Sequence, residues 1–208
     1  MKSKYVHWFL AGALTSAFGS VYAKNADKCV EHVSEDHIQT DAGIMDFRVF
    51  HVAKFPAVFH KISRFFIKEN AFELPDGSKW STSKIDLVKG WEGNSLVIVP
   101  NHATFSTHRF ALVNKDLKLA VPISLELEPI PQKEGVYFIR NIDQANDLMT
   151  LSDGRRWIVN SSDISNLSKM KEHDRVIIGA NIKEGWDKSP YVLIDTAHNI
   201  YVRANLID

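Results

Sequence analysis

The sequence predicts a mainly β protein of two tandem small barrels, each with a short helical connection, after an N-terminal signal peptide. Three observations predict it: a motif that occurs twice, short apolar runs separated by turn signals, and a basic, then apolar, start. The barrels belong to the SH3-like or the OB-like class, and counting strands does not separate the two. We place the leader at 1–23, a lead-in at 24–58, the first barrel at 59–127, a linker at 128–135 and the second barrel at 136–208.

The repeat is the clearest feature of the chain. LPDGSKW at 74–80 recurs 77 residues later as LSDGRRW at 151–157. The shared residues are Leu74, Asp76, Gly77 and Trp80 in the first copy, and Leu151, Asp153, Gly154 and Trp157 in the second. Further matches follow at an offset of 80 (Ile98 with Ile178) and of 81 (Leu125 with Leu206). A match this regular indicates a duplicated structural unit.

Each shared motif predicts a β-hairpin. Phe72 and Leu74 alternate with Glu73, which is the period of a strand with one face in water. The Asp-Gly pair then predicts a tight turn, because glycine takes a positive φ and aspartate bonds to the local backbone. Trp80 and Trp157 lie in the returning strands, where we expect their large side chains to be buried and structural.

The other elements follow in the same order in both copies. We expect strands at 59–66, 72–74, 96–99, 110–113 and 117–127 in the first copy, and at 136–143, 149–151, 176–178, 191–194 and 200–207 in the second. Between the hairpin and the third run, residues 81–94 and 160–174 place serine or threonine ahead of acidic or apolar residues. This pattern predicts one short helix in each copy.

The chain before the first copy is less regular. Residues 24–43 are polar without a sustained period, which predicts a flexible lead-in. Residues 45–52 alternate in polarity, so we expect a strand that adds to the edge of the first barrel.

The first 23 residues have the pattern of a secretory leader. Lys2 and Lys4 precede an apolar run from 8 to 17, and small or apolar residues at 21–23 predict cleavage after Ala23. An uncleaved membrane anchor is the alternative, since 5–23 is about long enough to cross a bilayer. Several small and polar residues in that stretch favour cleavage. We therefore expect a periplasmic or secreted protein with no stable membrane span after the leader is removed.

Because both copies carry this motif, the chain resembles bacterial envelope proteins built from repeated small barrels with an L-x-D-G-[SR]-x-W turn. The resemblance covers both copies but not residues 24–58. It implies export and a role in interaction, and it brings no catalytic residues with it.

Cys29 is the only cysteine, so no internal disulfide joins the two copies, and we expect each barrel to be stable by packing alone. Two interpretations of its thiol stand open: a Cys29-linked dimer, and a free thiol in a tail. His32 and His37 lie nearby, but the pattern lacks a fourth ligand. We therefore predict no metal site.

The loop at 101–110 carries the candidate binding residues His102, His108 and Arg109. It differs from the equivalent loop of the second copy, and loops that differ on a shared scaffold are where new contact surfaces arise. Ser106 with His102 or His108 is the catalytic alternative, but no Gly-x-Ser-x-Gly motif is present. We expect no catalytic residues and no cofactor.

The net charge and the absence of several motifs from the sequence reduce the number of candidate function classes. The formal net charge is zero, which argues against a nucleic-acid partner. Phosphate-binding and zincin motifs are absent from the sequence. We predict an exported, non-enzymatic binding or assembly protein of the bacterial envelope that docks another envelope protein or a polymer, with barrel edges capturing an extended segment as a further strand. The alternative is a small secreted enzyme or ligand-binding factor acting through the 102–109 loop.

Overall fold

The computed structural model describes residues 37–40, 43–46, 56–101, 106–133, 135–181 and 189–207. For 37–40 and 43–46 it describes the backbone alone. The leader, Cys29, His32 and His102 lie outside these residues, so what we expect of them stays a prediction. In the part of the chain described here, no helix is long and apolar enough to cross a membrane.

The described chain is mainly β, as predicted, and belongs to one compact unit spanning 36–208. An N-terminal hairpin consists of β1 (His37–Thr40) and β2 (Gly43–Asp46). The first half contains β3 (Phe59–His60), β4 (Arg64–Phe66), β5 (Ala71–Glu73), β6 (Lys79–Ser81), helix α1 (Ile85–Lys89), β7 (Leu96–Pro100), β8 (Phe110–Asn114) and β9 (Leu119–Leu127). The second half contains β10 (Tyr137–Asp143), β11 (Leu148–Leu151), β12 (Arg156–Val159), α2 (Ile164–Leu167), β13 (Arg175–Ala180), β14 (Tyr191–Asp195) and β15 (Ile200–Leu206).

The strand expected at 45–52 overlaps the structure only at its start. Residues 45 and 46 are the end of β2, which pairs with β1 in a separate two-stranded sheet and not with the sheet of the first half. Residues 47–52 lie outside the described part of the chain.

The second half is a closed barrel with the strand order β10-β11-β12-β15-β14-β13, in which β13 pairs back with β10. The first half is a curled sheet with the order β3-β7-β8-β9-β6-β5-β4. These orders are equivalent, because the single strand β10 has two counterparts. Its start pairs with β13 as β3 pairs with β7, and its remainder pairs with β11 as β4 pairs with β5.

The repeat in the sequence is a repeat in pairing register. Phe72 faces Trp80 across one hairpin, and Met149 faces Trp157 across the other. Both tryptophans then pair with a leucine of the last strand of their half. Residues at equivalent positions of the two copies therefore make equivalent strand pairs.

The two hairpins turn in the same way. The amide of Gly77 donates to the oxygen of Leu74 over 2.9 Å, and the amide of Leu74 donates to the oxygen of Ser78 over 3.0 Å. Gly154 makes the equivalent bond to Leu151, also over 2.9 Å. The φ angles of the two glycines are +83° and +87°, a left-handed conformation that glycine takes without strain. Each loop is therefore a three-residue turn closed by a glycine.

Four strands, β7, β8, β13 and β14, are buried on both faces. In β7, Leu96 and Ile98 pack in one hydrophobic core, while Val97 and Val99 pack in another. Alternate side chains of a strand point to opposite faces, so this strand lies between two cores.

Each core contains residues of both halves. The core around Trp80 includes Val192 and Ile194 of the second half, and the core around Trp157 includes Val97 and Val113 of the first. Packing of each half therefore includes side chains of the other half. The reason is visible in the sequence, where these strands are continuous apolar runs, typical of strands without a wet face.

Candidate functional site

The candidate site is a cleft of about 420 Å³ with walls from both halves of the chain. Its walls include Pro56, Phe59, His60, Pro75, Asp76 and Tyr137. The first five belong to the first half and its lead-in, whereas Tyr137 begins the second half. A cleft of this size with apolar walls and a few polar groups is typical of a ligand site.

His60 connects the two halves at this cleft. Its Nε2 donates to the main-chain oxygen of Ile178, 3.1 Å away in β13. A carbonyl oxygen only accepts, so Nε2 carries the proton and Nδ1 of the neutral ring is an acceptor. Burial lowers the pKa of His60, while the carboxylate of Asp76 and the bond to Ile178 act in the opposite direction. The ring is therefore neutral near pH 7.

Tyr137 is the equivalent of His60 in the second copy. His60 pairs with Leu96 on β7, and Tyr137 pairs with Val176, the equivalent residue, on β13. Burial raises the pKa of Tyr137, and the carboxylate of Asp153 raises it further, while Arg155 lowers it. The phenol therefore keeps its proton and can donate a hydrogen bond.

Asp76 is the acidic residue of the cleft and is only 6% exposed. Its Oδ1 accepts from the amide and the hydroxyl of Ser78, at 2.8 and 2.7 Å. The Ser78 hydroxyl in turn accepts from Nε1 of Trp80 at 2.8 Å, which links the turn to the core. Within the described chain, Oδ2 of Asp76 makes no hydrogen bond.

The equivalent carboxylate of the second copy, Asp153, has a cationic partner. Oδ2 of Asp153 accepts from Nη1 of Arg155 at 2.7 Å, and its side chain is 22% exposed. In the first copy, Ser78 occupies the position equivalent to Arg155. Asp76 makes no ion pair with any described residue. The more buried of the two carboxylates is thus the one without a cation.

The predicted loop residues lie elsewhere. Nδ1 of His108 is 2.7 Å from Oγ of Ser124, and Oγ of Ser106 accepts from the amide of His108 at 3.1 Å. Nη1 of Arg109 donates to the main-chain oxygen of Asn199 at 3.1 Å. None of these residues lines the cleft, and Ser124, not Ser106, is the hydroxyl that bonds to an imidazole here.

A second polar cluster lies at one end of the closed barrel. Nδ1 of His198 is 2.7 Å from Oδ2 of the fully buried Asp195 and 3.4 Å from Oδ2 of Asp174. Burial raises the pKa of Asp195, and hydrogen bonds from His198 lower it. Ligand atoms of the three residues lie within 4.8 Å of one another. This cluster did not emerge from the sequence, although the first copy has Asn94, Asn114 and Leu117 at the equivalent positions.

The importance of His60 and Tyr137 was also missed from the sequence. The available signal was a polar aromatic side chain at the same position of the first strand in both copies. Only the packing of the halves brings the two residues to one cleft.

Comparison with known proteins finds no matching family model, no similar curated protein and no similar solved structure. The function is therefore argued from the cleft itself.

Proposed function

We propose that this protein is an exported, non-enzymatic binding or assembly protein of the bacterial envelope, which docks a protein or polymer partner at the cleft between its two halves. The observation that carries the proposal is the cleft itself, because residues of both copies meet there around polar groups with free bonding capacity.

The chemistry of the walls supports binding. The lining residues offer the aromatic rings of Phe59 and Tyr137, two prolines, and acceptor atoms on His60 and Asp76. Such a surface suits an extended segment of a partner, whose side chains fill the cleft.

The closure of the second-half barrel limits the ways in which a partner can bind to it. Its six strands each have two neighbours, so the second half presents no unpaired strand edge. From the sequence we expected strand addition at barrel edges, and the closed half offers no such edge among its described strands. We therefore place docking in the cleft, through side chains.

The proposal also includes the signal peptide, a periplasmic or secreted location, and the assignment of both halves to the SH3-like or OB-like class. Support comes from the basic and apolar start of the chain and from its short strands. Mass spectrometry of the mature N-terminus, with fractionation of native cells, tests the export. A chain that keeps residues 1–23 would contradict it.

The docking site is tested by blocking the cleft. Lys61 lines the cleft and its side chain is exposed. Lys61→Trp therefore places a large indole ring over the cleft without disturbing the core. Lys68→Trp, at another exposed position, is the matched control. We expect a partner that co-purifies with the native chain from envelope extracts to be lost with Lys61→Trp and kept with Lys68→Trp. Equal recovery with both variants, or recovery of no partner, would overturn the proposal.

A second candidate function is a small secreted enzyme or ligand-binding factor acting through the 102–109 loop. It is favoured by the 2.7 Å contact between His108 and Ser124, which is the separation of a hydroxyl nucleophile and its base. Hydrolysis of a chromogenic ester that disappears in Ser124→Ala, with melting unchanged, would support this candidate. Absence of turnover in the native chain would exclude it for that ester class.

A further inference from the structure

We infer that the cleft recognises a basic side chain, lysine or arginine, of an extended segment of a partner protein, and that Asp76 binds its charge. The inference rests on the proposed function, since it names the chemistry by which the same cleft selects its partner.

The first step is the state of Asp76. Its side chain is buried, its Oδ1 is held by Ser78, and Oδ2 is left without a hydrogen bond among the described residues. Asp76 lines the cleft without a cationic partner among the described residues, so its carboxylate is available to a ligand of opposite charge there.

The second step is the comparison between the copies. At the equivalent position Asp153 has Arg155 as its ion-pair partner, 2.7 Å away, although it is better solvated than Asp76. The first copy has Ser78 in place of that arginine. A basic side chain supplied by a partner would give Asp76 the interaction that Arg155 gives Asp153.

The third step is the surroundings of Asp76. The neutral ring of His60 presents Nδ1 as a further acceptor, which suits a ligand rich in donors. The aromatic faces of Phe59 and Tyr137 can attract a cation. The ring of Phe59 already attracts one cation, since Nζ of Lys115 lies 5.0 Å from its centre.

The fourth step concerns the cation that also lines the cleft. Lys61 is exposed and makes no ion pair with Asp76 or with any other described residue. It leaves the carboxylate open to a ligand. Two prolines that line the cleft, Pro56 and Pro75, offer apolar surface for the methylene chain of a lysine or arginine.

The test is a chemical-shift titration of the isotope-labelled full-length mature chain with three capped tripeptides. They carry arginine, lysine or citrulline, the uncharged isostere of arginine, between two alanines. We expect the arginine and lysine peptides to shift the amide signals of Asp76 and Tyr137. The citrulline peptide should bind at least about tenfold more weakly than the arginine peptide. Magnesium chloride is titrated in parallel.

Asp76→Asn is the decisive variant, because an asparagine keeps the Oδ1 acceptor for Ser78 and removes the charge. We expect it to weaken the arginine peptide about tenfold while leaving the citrulline peptide unchanged. Asp86→Asn is the matched control and should bind like the native chain, because that carboxylate is exposed and is not among the residues that line the cleft.

Equal binding of arginine and citrulline peptides by the native chain would overturn the inference even if Asp76→Asn failed to fold. Absence of any shift, or shifts at the cleft with magnesium chloride alone, would also overturn it. A second comparison distinguishes failure of this inference from failure of the proposed function. If a co-purified partner is lost with Lys61→Trp but retained by Asp76→Asn, the docking site stands and charge recognition by Asp76 does not.

Discussion

Gly179 in β13 lies against the main-chain oxygen of Ile98 in β7, so closely that a β-carbon on Gly179 would be 2.3 Å from that oxygen. The first copy has Val99 at the equivalent position. Gly179 is needed for space, since two backbones approach here without a side chain between them. The contact joins two of the four strands that lie between the two cores.

Replacing Gly179 by alanine should destabilise the protein, because neither backbone can move without disturbing a core. We expect a loss of roughly 1–3 kcal/mol in the free energy of unfolding, measured by urea denaturation. Gly90→Ala is the control, as its β-carbon would be 3.5 Å from the nearest atom, the oxygen of Leu87. Equal stability of both variants would contradict the close approach of the strands.

The two turn glycines provide a matched pair. Both have a positive φ, so alanine at either position should cost about 1–2 kcal/mol of unfolding free energy. At Gly77 a β-carbon would also be 2.7 Å from Cγ1 of Ile130 in the linker, whereas at Gly154 nothing lies within 4 Å. We expect Gly77→Ala to be the more destabilised in thermal melting. The reverse order would show that the linker does not pack on the first turn.

Trp80 and Trp157 are both fully buried, each in a core shared by the two halves. Truncation of either to alanine should lower the free energy of unfolding by roughly 3–5 kcal/mol. Because the cores are shared, each variant should still unfold in one transition, coincident by fluorescence and circular dichroism. Two separate transitions would mean that one half survives the loss of the other.

The partly buried imidazole of His60 predicts a dependence of stability on pH. Its pKa is lowered in the folded state, so between that pKa and about 6.5 the unfolded chain binds more protons. Its contribution to stability is therefore present above about pH 6.5 and is lost as the pH falls. His60→Gln keeps a donor for Ile178 but cannot titrate, so its unfolding free energy should fall less between about pH 7.5 and 5. Parallel pH profiles for both chains would rule out this role.

Much of the fold could be predicted from local sequence. The Asp-Gly turns, the returning strands and the order of elements follow from residues close together in the chain. The repeated register also follows, since the offsets of 77 and 81 hold in all three pairs of β5 with β6 and in two pairs of β6 with β9, Trp80 with Leu125 and Ser81 with Ser124. These features depend on backbone torsion and period, which neighbouring residues decide.

The site was harder to predict. His108 and Arg109 were chosen because their loop differs between the copies, and they do not line the cleft. His60, Asp76 and Tyr137 line it, and of these only Asp76 was singled out, as part of a turn. A strand residue and a turn residue more than ten positions apart give no local sign that they share a cavity.

The sequence by itself determined that this chain contains one β unit twice, and where each strand turns. Only the tertiary structure decided that the two units share their cores, that His60 reaches Ile178 across the junction, and that Asp76 is buried without a cation while Asp153 has one. The reason is physical: turns and strands are specified by torsion preferences within a few residues, whereas burial and pairing of a charge depend on which distant surfaces pack together.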